Sequence, residues 1–189
     1  MRKWLGWTLG VLLAIALTFF VLDRTWLLVP MGPGGASDAP TIPACKGRML
    51  AQGVTYKFRD PRRGELVAFR AHGAIGSTIT PDPHGSLPIV KRVVGVPNDE
   101  VEAHGGHVYV NGVKFDDITT GDFPKADLGH KEYFLLGDNR SYSQDSRDFG
   151  PVPRDAIFGK VLLVWWPLGD FGSPESRHSG QPPGQINCD

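Results

Sequence analysis

The run Gly137-Asp138-Asn139-Arg140-Ser141-Tyr142-Ser143-Gln144-Asp145-Ser146-Arg147-Asp148-Phe149-Gly150 packs three Asp, two Arg, three Ser and one Asn into fourteen residues. Gly, Asp, Asn and Ser are also what turns are made of, so a plain loop is one reading. Its neighbours argue for another. Apolar runs at 133–136 and 156–166 flank it. Polar groups of both signs wedged between core strands must satisfy one another by hydrogen bonds. A second residue with chemical potential is Lys91. A serine hydroxyl is a poor nucleophile until something removes its proton, and a lysine can do so if it is held neutral. A solvated lysine is less than ~0.1% neutral at pH 7, but burial among apolar neighbours favours the uncharged amine. Lys91 lies within Ile89-Val90-Lys91-Arg92-Val93-Val94. In an alternating strand it shares a face with Ile89 and Val93, while Arg92 faces the other way with Val90 and Val94. The same lysine could instead guard an edge strand against aggregation. On composition alone the edge-strand guard is the better reading.

Those residues need a scaffold, and the sequence predicts a β-rich one. High Gly and Pro favour strands and turns over long helices. Strands are expected at 50–58, 65–70, 88–96, 100–103, 107–110, 114–115, 133–136 and 156–166, with Asn111-Gly112 as a hairpin turn. No amphipathic helix of convincing length follows residue 22. Residues 4–22 are uninterrupted and apolar, preceded by Arg2-Lys3 and followed by Asp23-Arg24. About twenty such residues span a bilayer, the run is longer than a cleaved signal peptide's usual core of roughly 7–15, and the preceding basic residues place the N-terminus in the cytoplasm. The expected organisation is therefore residues 1–22 as cytoplasmic N-terminus and single-pass transmembrane anchor, 23–36 as a membrane-proximal connector, 37–168 as an extracytoplasmic domain, and 169–189 as a disordered tail. Residues 71–87, rich in Gly, Ser, Thr, Pro and His, read as an exposed loop.

Several function classes drop out. Twenty basic and twenty acidic residues leave no electrostatic case for nucleic acid. The six histidines lack ligand spacing, and no Gly-rich phosphate loop is present, so no metal and no cofactor are expected. Cys45 and Cys188 could pair in an exported domain or remain two thiols.

The polar run resembles the GDN-x-x-x-S-x-D-S-R signature of bacterial type I signal peptidases, serine peptidases with a Ser/Lys dyad. Residues 89–101 are similar to that family's I-K-R-x-x-G-x-P-G-D-x-V block, and Arg63-Gly64-Glu65-Leu66-Val67-Ala68-Phe69 to its R-G-D-[IV]-V-x-F strand. Val108-Tyr109-Val110-Asn111-Gly112 and 157–167 match further segments. The likeness runs in order over 30–168. It implies a mainly β fold of antiparallel sheets with a signal-peptidase-like (LexA-like) core, preceded by one transmembrane helix. It also implies removal of signal peptides from exported preproteins at A-x-A-type sites.

By the same resemblance Lys91 is the general base. Ser37 is the nucleophile within Ser37-Asp38-Ala39-Pro40-Thr41-Ile42, which keeps S-x-x-P-T of the family's S-M-x-P-T-L. Ser143 corresponds to the hydroxyl that orients the lysine, and Asp145 with Arg147 to a bracing ion pair. Asp138 and Asn139 shape the turn beside the lysine strand, and Ile42 and Val90 wall the substrate pockets. The backbone N–H of Ser37 is implied as an oxyanion donor. Two departures stand out. Gly35 occupies the place where many members carry a serine as second oxyanion donor, and Asp38 replaces Met. A carboxylate there favours the ammonium form of the lysine, against its use as a base. Two alternatives stay open: a conjugation-type peptidase that matures a pilin-like substrate, and an inactive anchored domain that binds signal segments.

Overall fold

The computed structural model describes residues 7–8, 10–18, 28–33, 35–71 and 88–174. Among them, eleven strands form two antiparallel sheets. The larger has the order β1 (Val29–Met31), β2 (Arg48–Gln52), β11 (Ile157–Trp166), β3 (Leu66–Arg70), β4 (Pro88–Gly95), β9 (Glu132–Leu136), β10 (Val152–Pro153). The smaller runs β7 (Val113–Lys114), β6 (His107–Val110), β5 (Glu100–His104), β8 (Phe123–Asp127). The expected mainly β, antiparallel class holds.

Alternation along the strands builds three apolar clusters. Leu66, Ala68 and Val90 join Met31, Ile42 and Met49 in one, while Val67, Phe69 and Val93 join Tyr133 and Leu135 in another. The third, with Val94, Val101, Val108, Phe134 and Leu136, packs the two sheets on each other. Strand β4 lies between β3 and β9, and Lys91 is buried, so it is not a solvated guard of an edge strand. The β9 ladder begins at Arg92↔Leu136, so residues 88–91 keep an open edge on that side.

The expected strand 50–58 is corrected. It starts earlier, at Arg48, and stops at Gln52, after which Thr55–Phe58 form a helical turn. The Gln52 side chain accepts from the Thr55 backbone N–H at 3.1 Å and so turns the chain. Strands β1, β8 and β10 were not expected; three residues in the first, an interior Pro124 in the second and two residues in the third hide them from pattern reading. Beyond residue 168 the chain remains placed to 174: Gly172 and Val164 exchange backbone hydrogen bonds of 2.9 and 3.0 Å. Backbone pairing at Gly172 and the burial of Pro174 hold it there.

Residues 10–18 are helical and exposed, and among the described residues no helix is long and apolar enough to cross a membrane. Part of the expected span 4–22, residues 23–27 and 34 of the connector 23–36, all but one residue of 71–87 and the tail beyond 174 lie outside the described residues. Cys45 is disulfide-bonded, which removes the free-thiol alternative for it; the chain's other cysteine, Cys188, lies outside the described residues.

Candidate active site

Ser37 and Lys91, 54 positions apart, meet: Lys91 Nζ donates to Ser37 Oγ at 2.6 Å. Ser37 sits in the turn that follows the β1 connection, and Lys91 in β4 opposite Val67. Lys91 is 3% exposed, as the resemblance rather than the strand pattern implied. The Ser37 hydroxyl in turn donates to Asp38 Oδ2 at 2.8 Å, and that oxygen lies 3.5 Å from Lys91 Nζ.

The polar run holds this turn against β4. Asn139 N–H donates to the Ser37 carbonyl at 3.0 Å, and Asn139 Nδ2 to the Ala36 carbonyl at 3.1 Å. Asp138 links both sides. Its carboxylate accepts two 2.7 Å bonds from Arg92 on β4 and one of 2.5 Å from Thr41 Oγ1 in the Ser37 turn. Asp138 and Asn139 therefore do more than shape a turn: they clamp the serine segment to the lysine strand.

Asp145 braces the run from behind. It is fully buried, receives the Gly137 N–H at 3.0 Å, and pairs with Arg147 through Nε at 2.7 Å and Nη2 at 2.8 Å. It also caps the helical turn Ser146–Phe149 in a capping box with Asp148. Arg147 reaches onward to Thr120 Oγ1 and the Ser143 carbonyl. Arg140, also buried, donates to the Gly137 carbonyl at 3.0 Å and pairs with Asp116.

Ser143 lines the same cleft, but its Oγ is buried and makes no hydrogen bond among the described residues. The bond to Lys91 that the resemblance implies is not made in this arrangement. Gly137 is what lets Ser143 approach, since a Cβ there would lie 2.2 Å from Ser143 Oγ and 2.5 Å from the Ser37 carbonyl oxygen. Ile42 and Val90 are both buried and both line the cleft, with Met31 and Met49. The cleft has a volume of about 850 Å³ and opens past Ser37 and Lys91. The wall formed by Met31, Ile42, Met49 and Val90 is apolar, suited to small aliphatic side chains.

Asp38 departs most from expectation. Only 7% exposed, it uses Oδ2 on Ser37, while Oδ1 is buried with no hydrogen-bond partner. Burial pushes its carboxyl above the usual carboxylate range against the pull of Lys91, and nearby Asp138 adds to the rise. Sequence reasoning missed the parts played by Arg92, Thr41 and Arg140. A charged residue inside an apolar strand was the one signal available for Arg92.

The sequence model of the family described as signal peptidase, peptidase S26, matches residues 4–166. A probable signal peptidase I-2 from Synechocystis sp. is 33% identical over 168 residues, covering 86% of this chain and 72% of its own. Signal peptidase IB from Staphylococcus aureus (strain Mu50 / ATCC 700699) is 31% identical over 193 residues, covering 90% and 93%. A crystal structure of a signal peptidase I from Enterococcus faecalis V583 superposes with a TM-score of 0.43 at 26% identity, over 54% of this chain and 97% of that one.

Proposed function

The chain belongs to the signal peptidase family, peptidase S26, and we propose that it cleaves by a Ser37/Lys91 dyad from a membrane-anchored, extracytoplasmic domain. Members of this family are serine endopeptidases that remove signal peptides, and so is this chain. The finer reading rests on one observation above the rest, the 2.6 Å contact between Lys91 Nζ and Ser37 Oγ inside the apolar cleft.

The mechanism follows from that contact. An extended substrate segment ending in small residues adds beside residues 88–90, whose outer edge is open, and seats small side chains against Ile42 and Val90. Neutral Lys91 takes the Ser37 proton as Oγ attacks the scissile carbonyl carbon. The Ser37 N–H supports the oxyanion. Lys91 then gives the proton to the leaving amine, the C–N bond breaks, and an acyl-enzyme remains. Water attacks that ester, its proton passing to Lys91 and then to Ser37 Oγ. Preprotein signal segments and the lipid bilayer are the expected partners, with residues 4–22 as the anchor.

The test is cleavage of a preprotein carrying an A-x-A site by the purified full chain, beside Ser37→Ala and Lys91→Ala. Cleavage by the unaltered protein alone supports the reading. No cleavage while a control peptidase cuts the same substrate sinks it.

A further inference from the structure

We infer that Asp38 is the third member of the reacting unit: it takes the Lys91 proton through the Ser37 hydroxyl and so lets Lys91 act as a neutral amine in a site whose net charge never changes. This rests on the dyad proposed above and deepens it.

The geometry is a hydrogen-bond chain with a direction. Lys91 Nζ donates to Ser37 Oγ at 2.6 Å, and Ser37 Oγ donates to Asp38 Oδ2 at 2.8 Å. In that direction the serine proton points away from its base. A shift of two protons, each along one existing bond, reverses it. Lys91 gives a proton to Ser37 Oγ, and Ser37 gives its own to Asp38 Oδ2. Ser37 stays a neutral hydroxyl throughout. Afterwards Asp38 Oδ2–H donates to Ser37 Oγ, and Ser37 Oγ–H donates to Lys91 Nζ, which is the arrangement that nucleophilic attack requires. No proton enters or leaves the cleft.

Charge bookkeeping favours this route. The charged groups facing Asp38 are Lys91 and Arg92 from β4 and Asp138 from the turn after β9, with the Ser37 hydroxyl from its own turn. Arg92 and Asp138 neutralise each other at 1% exposure each. That leaves Lys91 and Asp38, both almost fully buried, to balance one another. If Lys91 lost its proton to solvent, Asp38 would remain as a lone buried anion near a second carboxylate, a costly state. The one net-neutral form that contains a neutral Lys91 has the proton on Asp38. The unbonded Oδ1 agrees, because an orphaned oxygen costs more in a buried carboxylate than in a neutral acid. During turnover Asp38 keeps that proton while Lys91 shuttles the Ser37 proton to the leaving amine.

The test is the pH profile of kcat/KM for the full chain in detergent micelles, with the same A-x-A preprotein. Asp38→Asn is near-isosteric, and Asp38→Met installs the residue usual in the family, so two independent variants address folding, checked by thermal unfolding. In the wild type the acid limb reports protonation of the pair. In either variant Lys91 must lose its proton to solvent, so the limb moves to higher pH. Activity at pH 7 then falls about tenfold for each unit by which the midpoint of the limb exceeds 7, and returns to within a few-fold of wild type near pH 10. An unmoved limb, a limb moved to lower pH, or a loss equal at every pH would overturn the inference while leaving the dyad standing. Wild-type protein without any cleavage would overturn the dyad and this inference together.

Discussion

Arg92 grips Asp138 through two parallel hydrogen bonds of 2.7 Å, with both side chains 1% exposed. The pair joins β4 to the turn after β9, and Asp138 carries the connection on to Thr41 in the Ser37 turn. A buried pair of this kind is strongly destabilising to break, by about 3–5 kcal/mol, because one charge is left uncompensated. Arg92→Met is expected to lower stability by that order in urea unfolding. Arg92→Met with Asp138→Leu is expected to recover much of the stability and none of the cleavage activity, since Thr41 then has no acceptor to hold the serine turn. Recovery of activity in the double variant would show that the clamp does not position Ser37.

Gly137 is the close-packed point of the site. An added methyl would lie 2.2 Å from Ser143 Oγ and 2.5 Å from the Ser37 carbonyl oxygen. Something must shift, and both neighbours belong to the reacting region. Gly137→Ala is expected to cost about 1–3 kcal/mol in stability. It should cost roughly 100-fold in kcat, since displacements near 1 Å are that damaging to a positioned nucleophile. A stability loss with unchanged kcat would mean that Ser37 tolerates displacement.

The strand around Lys91 was legible because its apolar signal is local, but the burial of the lysine was not: the pattern alone favours an edge lysine, and only the resemblance points to a buried base, which β4 delivers. The hairpin at Asn111-Gly112 was legible for the same reason, and both residues adopt positive φ between paired Val110 and Val113. The polar run was recognised as a network, but its partners were not. Thr41 with Asp138 and Asn139 with Ala36 are contacts across 97 and 103 positions, and no local pattern encodes a pairing at that range. Asp38 was legible only as a charge beside a serine; that it closes a triangle with Lys91 depends on the fold of both segments. The false extension of β2 to Phe58 arose because Val54, Tyr56 and Phe58 alternate with polar residues as a strand would, whereas the Thr55 N–H donates to Gln52 Oε1 and turns the chain.

Gly35 offers a gain-of-function prediction. A Cβ built there meets nothing within 4 Å, and the residue lines the cleft beside Ser37. Gly35→Ser is expected to be tolerated and to supply the hydroxyl that related enzymes use as a second oxyanion donor. One such donor is worth about 10²–10³ in rate in other hydrolases. A rise in kcat with little change in KM is the expected result. An unchanged kcat would mean that backbone groups already satisfy the oxyanion.

Glu65 predicts an acid limit on stability. Burial alone would push its carboxyl up, but hydrogen bonds from Arg59, the Arg62 backbone N–H and Lys160 outweigh that and hold it down at about 2. The folded value lies below the unfolded one of 4.5, so the unfolded state binds more protons in between. The stabilisation is complete above pH ~4.5 and is lost as pH falls from there toward about 2, on the order of 3 kcal/mol in total. Wild type should lose more thermal stability than Glu65→Gln across that window. Parallel pH curves for the two proteins would exclude Glu65 as the source.

Ser143 separates reaction from architecture. Its hydroxyl is buried, faces Gly137 and makes no hydrogen bond among the described residues. Removing an unbonded buried hydroxyl relieves a desolvation cost, so Ser143→Ala is expected to leave the melting temperature unchanged or slightly raised. Buried polar atoms without partners are uncommon and call for a reason. Here the cleft supplies one: Ser143 lines it with Ser37 and Lys91, and the resemblance gives its hydroxyl the part of orienting the amine. Ser143→Ala should then lose roughly 10–100-fold in kcat, with KM little changed, because the missing contact forms only on the way to the transition state. Ser143→Thr, which keeps the hydroxyl, should retain more of the rate than Ala. Equal activity in wild type and Ser143→Ala would leave that hydroxyl without a part in the reaction.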